Sequence, residues 1–104
     1  RSWNPRGLAM LLWAFATLGL QNGPLLQAIS ARSMPTIDEY RMQDLGNTAW
    51  SYATLKLLDR PLMHSIAAAA MRRIEEGDPR NISIMAWAFA TLGVPHQPLL
   101  KAIS

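Results

Sequence analysis

The chain has 104 residues, of which half are hydrophobic and 16% are charged, and its net charge is +3 at neutral pH. This balance is typical of a single folded domain and excludes a disordered, highly charged chain. The complete lack of cysteine excludes disulfides, thiolate metal sites and cysteine nucleophiles, while the mild positive charge permits nucleic-acid binding without requiring it. The longest apolar run, residues 8–20, is too short to span a bilayer, which takes about 18 or more apolar residues.

The sequence repeats itself at an interval of 37 residues. The string from Trp13 to Gly19 returns unchanged from Trp87 to Gly93, and Trp50 lies midway between the two tryptophans. Self-similarity at a period of about 20 to 50 residues is typical of stacked supersecondary units. We therefore predict an all-α solenoid of antiparallel helix pairs, and we expect the 104 residues to belong to a longer array. The repeats cover about 4–40, 41–77 and 78–104, the last of them truncated.

Each repeat is predicted to begin with a helix, which covers about residues 6–19, 43–56 and 80–93. Leu8, Leu12 and Phe15 have the spacing of one helix face. Helix starts are indicated by Asn4 before Pro5 and by Asp78 before Pro79, whereas the middle copy, with Arg41 and Met42 there, starts less clearly. Gly19 and Gly93 fit a left-handed cap at the other end. Lys56 at the matching position would cost about 1 kcal/mol relative to glycine in that conformation.

A second helix is predicted over about 24–33 and again over 61–76. Asn22 and Asp59 are good N-caps, and His96 in the third copy is a poorer one. Pro35 ends the first of these helices early, and residues 36–39 have the spacing of a capping box for an extra turn. Gly77 ends the second, so that a short link leads to the next repeat and neighbouring helices pack antiparallel.

Projected at 100° per residue, the first helix of each repeat leaves one narrow stripe outside the predicted core of Leu8, Leu12, Phe15 and Ala16. In helical-repeat RNA-binding proteins, two or three side chains per repeat contact one base. The stripe supplies candidate phosphate contacts at Arg6 and Arg80, and candidate base contacts at Gln43, Asn47 and Ser51. Met10 and Ile84, which stand at the place of Asn47, would suit an apolar protein surface or further core instead.

The recurring tryptophans admit two interpretations. They could be stacking platforms for bases. They could also be core residues, because each is flanked by small alanine or serine side chains and would fit between close-packed helices. The sequence favours burial of Trp13, Trp50 and Trp87.

The titratable residues give no sign of an enzyme. Asp38–Glu39 and Glu75–Glu76 recur at one register just before the next helix, where they are expected to complement the helix dipole. The arginines near the second link, Arg72, Arg73 and Arg80, alternate with acidic residues and predict a solvated link. His64 and His96 have no ligand or triad partner at a useful spacing. We expect no catalysis, no cofactor and no metal.

The segment from Leu45 to Leu55, with Trp-Ala-Phe-Ala-Thr-Leu-Gly in the flanking copies, resembles the octotricopeptide-type helical repeats and, more loosely, those of FAST-kinase-like and RAP-domain proteins. The resemblance covers the whole chain, and such repeats are abundant in algae, dinoflagellates and apicomplexans. It implies binding of organellar RNA, in a chloroplast or mitochondrion, to control RNA stability, processing or translation. The asparagine of the family pattern is present at Asn47 and is replaced by Met10 and Ile84 in the flanking copies.

Two functions follow as hypotheses. The first is a non-enzymatic module that binds single-stranded organellar RNA through the polar stripe. The alternative is a structural subunit of a large organellar assembly, such as a ribosome or a photosynthetic or respiratory complex, with protein contacts at Met10 and Ile84. Neither hypothesis involves a small-molecule substrate or a membrane span.

Overall fold

The structure is a computed structural model, and it describes residues 4–73 and 79–93. Every regular element within these two ranges is helical, which confirms the predicted all-α class. Five α-helices and one 3₁₀ helix, which lies between α2 and α3, follow in chain order: α1 Pro5–Leu18, α2 Gly23–Ser33, the 3₁₀ helix Met34–Glu39, α3 Met42–Thr54, α4 Arg60–Arg72 and α5 Pro79–Leu92. None of the described helices combines the length and the apolar character that crossing a membrane requires.

Helix α1 begins and ends as its sequence predicts. The Asn4 side-chain oxygen accepts a hydrogen bond from the Gly7 N–H at 2.7 Å. At the other end Gly19 has a φ of 71°, and its N–H donates to the Ala16 carbonyl at 3.1 Å. The N–H of Leu20 reaches the Phe15 carbonyl at 2.9 Å, which completes a left-handed helix cap.

Helix α3 ends in the same turn without a glycine. Lys56 has a φ of 57°, its N–H donates to the Ala53 carbonyl at 3.0 Å, and the Leu57 N–H donates to the Tyr52 carbonyl at 2.9 Å. The left-handed turn is therefore kept in the middle copy despite the steric cost of a Cβ there. Gly93 closes α5 with a φ of 71°.

Helices α2 and α4 open with the predicted caps. The side chains of Asn22 and Asp59 accept hydrogen bonds from the backbone N–H groups of Leu25 and Leu62, each at 3.1 Å. The predicted end of α4 at residue 76 is wrong, because the helix ends at Arg72. The predicted turn at Gly77, the N-cap at Asp78 and the cap at His96 lie outside the described residues.

The C-terminal end of α4 contacts the 3₁₀ helix. The guanidinium of Arg72 pairs with the Asp38 carboxylate, and that of Arg73 donates to the Asp38 backbone carbonyl. The side chains of Arg72 and Asp38 remain 56% and 75% exposed, so the pair contributes little to stability. The predicted solvated character of this link holds for these residues, but the contact with Asp38 was not foreseen.

Pro35 ends α2, as predicted, and the chain turns through the 3₁₀ helix into a buried tyrosine. The Tyr40 hydroxyl donates to the Ser33 hydroxyl at 2.8 Å, which in turn donates to the Ile29 carbonyl at 2.8 Å. All of these groups are buried, and burial raises the pKa of Tyr40, with a smaller contribution from the charge of Asp44. The hydrogen-bonded pair fixes the path from α2 into α3.

Helix α3 lies between α1 and α5, and its most extensive contacts are with these two helices. Helices α2 and α4 pack against this layer, and the 3₁₀ helix contacts both of them. Gly46 of α3 lies against Asn81 of α5, where an added Cβ would be 3.6 Å from the Asn81 carbonyl oxygen, an ordinary van der Waals distance. The first helices of the three repeats are thus direct neighbours, so that equivalent positions lie side by side.

Candidate nucleic-acid interface

A cleft of about 330 Å³ opens between α3 and α5. It is lined by Gln43, Asn47, Arg80, Asn81 and Ile84. Four of these residues were selected from the sequence as candidate contacts for RNA or protein, and the structure brings them together. Their side chains supply amide groups, which donate and accept, one guanidinium, which only donates, and one aliphatic wall.

The repeat register places these side chains opposite one another. Gln43 and Arg80 are equivalent positions of neighbouring repeats, and so are Asn47 and Ile84. Because α3 and α5 are neighbours, each pair faces the same cleft. Asn81 was not predicted from the sequence, because it lies outside the stripe of equivalent positions; in the structure it lies opposite Gly46 of α3.

Three other candidates lie elsewhere. Arg6 and Met10 are exposed on α1, on the far side of α3 from α5, and do not line the cleft. Ser51 is fully buried, and its hydroxyl donates to the Asn47 carbonyl of its own helix at 2.7 Å. The prediction of Ser51 as a surface contact is therefore wrong. Its register is buried on α5 as well, at Ala88, because this side of the helix faces a neighbour.

The predicted burial of the tryptophans is also wrong for two of the three. Trp13 is 43% exposed and Trp87 is 49% exposed, while Trp50 is half-buried and packs against the core. The reason is helical geometry. Trp50 follows Gln43 by seven residues, which is close to two turns at 3.6 residues per turn, so the two side chains share one line along α3. The outer stripe of each first helix therefore includes the tryptophan, and it does not include the position of Ser51.

Among the described residues of this face, the exposed charges are positive. Asp44 is the one carboxylate that the described residues of α1, α3 and α5 contain, and only 9% of it is exposed. One of its carboxylate oxygens accepts from the Arg41 backbone N–H at 3.3 Å. Arg6, Arg41 and Arg80 are exposed on the same three helices or at their ends. The exposed carboxylates of Asp38 and Glu39 belong to the 3₁₀ helix, away from the cleft.

A second cleft, of about 320 Å³, lies where α2 and α4 begin. The side chains of Tyr52 and Asp59, which line it, are engaged inside the protein. The Tyr52 hydroxyl donates to the Leu26 carbonyl at 2.8 Å, and the Ser30 hydroxyl donates to the Asp59 carboxylate at 2.6 Å. These bonds tie three helices together, and we interpret the cleft as structural.

The described residues offer no other chemistry of this kind. Among them no group of histidine and acidic residues is placed to hold a metal ion, and His64 is an exposed residue of α4. No protein-family model matches the chain, and no curated protein is significantly similar to it in sequence. The features that indicate a function are therefore the cleft between α3 and α5 and the repeat that builds it.

Proposed function

We propose that this protein is a non-enzymatic helical-repeat module, built as an α-solenoid with a 37-residue period, that binds single-stranded RNA along the face formed by α1, α3 and α5. The observation that carries the proposal is the convergence of Gln43, Asn47, Arg80 and Asn81 in one cleft. Three of these positions are fixed by the repeat register.

The stacking of the first helices supports the proposed solenoid. Equivalent first helices are neighbours, with α3 between α1 and α5. In the first repeat, α2 and the 3₁₀ helix lead the chain back into α3, as a repeated helix pair requires. A stack of this kind presents one side chain register per repeat along a continuous face.

The chemistry of the cleft suits an unpaired nucleotide. The amides of Gln43, Asn47 and Asn81 can pair with the donor and acceptor edges of a base, which a duplex would hide. The guanidinium of Arg80 can bind a phosphate through two parallel hydrogen bonds. The described residues of α1, α3 and α5 contain no exposed carboxylate that would repel a phosphate on this face.

The resemblance to octotricopeptide-type repeats supports the same function and adds a location. Repeats of that kind act on RNA in chloroplasts or mitochondria. We therefore assign this protein to an organelle, in post-transcriptional control of an organellar RNA. Import of the full-length protein carrying a fluorescent tag into one of these organelles is the expected result, and a uniform distribution in the cell would contradict it.

The proposal is tested by titrating a fluorescently labelled single-stranded RNA with the protein at a series of salt concentrations from about 50 to 200 mM, where phosphate contacts weaken binding strongly. We expect log K to fall linearly with log salt. Arg80→Ala should weaken binding and reduce the slope by about 0.7, the value for one phosphate contact on a single strand. The double variant Gln43→Ala/Asn47→Ala should weaken binding and leave the slope unchanged.

Arg60→Ala is the matched control. It removes the same charge from an exposed position on α4, at the second cleft, and should leave both the affinity and the slope as they are. Absence of RNA binding would contradict the proposal. So would a loss with Arg60→Ala equal to that with Arg80→Ala, since binding would then depend on net charge rather than on the cleft.

A second function, protein docking in an organellar assembly, is favoured by exposed apolar residues on and after α1. Met10, Leu18 and Leu20 are 47%, 70% and 49% exposed. Exposed apolar patches are typical of protein contact surfaces. Under this alternative, RNA binding is absent, and Met10→Ser together with Leu18→Ser abolishes association with the assembly that contains the full-length protein.

A further inference from the structure

The three tryptophans of the repeat lie on the outer stripe of the first helices, in line with the residues of the cleft. Trp50 belongs to α3, two turns beyond Gln43, and Trp87 belongs to α5, two turns beyond Arg80. Trp13 has the same relation to Arg6 on α1. The indoles of Trp13 and Trp87 are close to half exposed, which is unusual for so large an aromatic side chain in a folded domain.

The helix layer arranges these indoles in a row. Since α3 lies between α1 and α5, Trp50 lies between Trp13 and Trp87. Packed helices have axes about 8 to 10 Å apart, so one indole follows another at about that spacing across the layer. The row continues the face on which the cleft opens.

We propose that Trp13, Trp50 and Trp87 are a row of stacking platforms on which successive unpaired bases of an RNA lie, one base for each repeat. This inference rests on the proposed RNA-binding function and names the contact that would give it most of its affinity. Aromatic faces accept every base and tolerate any sequence, whereas the amides of Gln43 and Asn47 are confined to a single cleft. The platforms would make binding general, and the cleft would make one position selective.

The charges on the face favour RNA over a protein partner. On α1 an exposed arginine and an exposed tryptophan, Arg6 and Trp13, are two turns apart on one stripe, which is about 10 Å at 1.5 Å per residue. Arg80 and Trp87 repeat this pair on α5. A cation for the phosphate and an aromatic face for the base thus recur in the same order along α1 and along α5. An apolar docking surface has no need of this pairing.

The test compares two probes on the complete protein: a short oligouridylate, and a ribose-phosphate oligomer of the same length that has no bases. We expect the oligouridylate to bind at least about tenfold more tightly, because each stacked base contributes a factor of that order. Its binding should also quench the tryptophan emission, and the oligomer without bases should leave the emission unchanged.

Paired variants separate stacking from simple apolar contact. Trp13→Leu and Trp87→Leu keep an apolar side chain but remove the aromatic face, and each should weaken oligouridylate binding about tenfold while binding of the oligomer without bases is unchanged. Trp13→Phe and Trp87→Phe should retain most of the affinity. Both sites are exposed, so circular dichroism should show folded protein in every case.

Three results would overturn the inference in distinguishable ways. Equal affinity for the two probes, with no effect of the leucine variants, would contradict stacking and leave the proposed RNA binding intact. Failure of both probes to bind would contradict the proposed function itself. Self-association of the protein that Trp13→Ser and Trp87→Ser abolish and RNA does not affect would show that the exposed indoles face a second copy.

Discussion

Helix α3 has a neighbour on each side, whereas the described part of the structure gives α1 and α5 only α3 as a neighbour within their layer. Burial differs accordingly: nine of the thirteen residues of α3 are buried, against four of the fourteen residues of α1. The two helices begin from the same repeat pattern, yet α3 carries polar side chains where α1 carries apolar ones. Thr48 and Tyr52 stand at the register of Leu11 and Phe15.

Polar residues can occupy the more enclosed helix because their hydroxyl groups are hydrogen-bonded. The Thr48 hydroxyl donates to the Asp44 carbonyl at 2.8 Å, and the Ser51 hydroxyl donates to the Asn47 carbonyl at 2.7 Å, both within α3. Only Tyr52 reaches another helix, at the Leu26 carbonyl of α2. Because a buried hydrogen-bond donor costs little once it has a partner, α3 can keep Thr48, Ser51 and Tyr52 without destabilising the layer.

The largest expected effect comes from truncating a fully buried leucine in the first turns of α3. Leu45 is fully buried, and Leu45→Ala should lower the free energy of unfolding by about 3 kcal/mol, since the cavity cannot collapse between two flanking helices. Ile82, at the same register of α5, is half-buried, so Ile82→Ala should cost about half as much. Urea denaturation of both variants measures the difference. Equal losses would mean that α5 is as enclosed as α3.

The next effect concerns the Tyr52 hydroxyl, which links α3 to α2. Tyr52→Phe restores the residue that the flanking repeats have at Phe15 and Phe89, and it removes the hydroxyl that the Leu26 carbonyl accepts from. We expect a loss of about 1 kcal/mol near neutral pH. Phe15→Tyr is the reverse change at a half-buried position and should be close to neutral.

Tyr52 also predicts how stability depends on pH. Burial, and secondly the negative charge of Asp59, raise the pKa of Tyr52 above its ordinary value, while a hydrogen bond with Ser30 lowers it in part. A group whose pKa is raised by folding stabilises the protein fully below its unfolded pKa, about 10 for tyrosine, and this stability is lost as the pH rises further. Urea midpoints measured above that pH should therefore fall less steeply in Tyr52→Phe than in the wild-type protein. Equal slopes would contradict the assignment.

The sequence was sufficient for the helices because their ends are marked by residues with local effects. Asn4, Asn22 and Asp59 accept the backbone hydrogen bonds expected of N-caps, and Gly19 adopts the left-handed conformation that few other residues tolerate. The end of α4 at Arg72 was not predicted, and neither was the contact that Arg72 and Arg73 make with the distant Asp38. Sequence periodicity contains no information on such a contact.

Only part of the cleft could be predicted, because the rest again depends on contacts between distant segments of the chain. A register shared by Gln43 and Arg80 follows from the repeat, but the width of the buried arc depends on how many helices surround α3. Two neighbours extend this arc to Ser51, which the projection had left outside. The exposure of Trp13 was recoverable, because a spacing of seven residues from Arg6 already places both on one side of a helix. The small residues beside each tryptophan predict its burial, but in the structure they reflect close packing of the adjacent face of the helix.

The smallest expected effect is a gain, at the turn where the middle repeat departs from its neighbours. Lys56 has a φ of 57°, in the region that glycine occupies at Gly19 and Gly93. Lys56→Gly should therefore raise the free energy of unfolding by about 1 kcal/mol, because removing the Cβ relieves more strain than the added freedom of the unfolded chain costs. Gly19→Lys at the equivalent turn should lose a similar amount, and urea denaturation measures both. A loss of stability in Lys56→Gly would mean that the lysine side chain stabilises the end of α3 by more than its backbone strain costs.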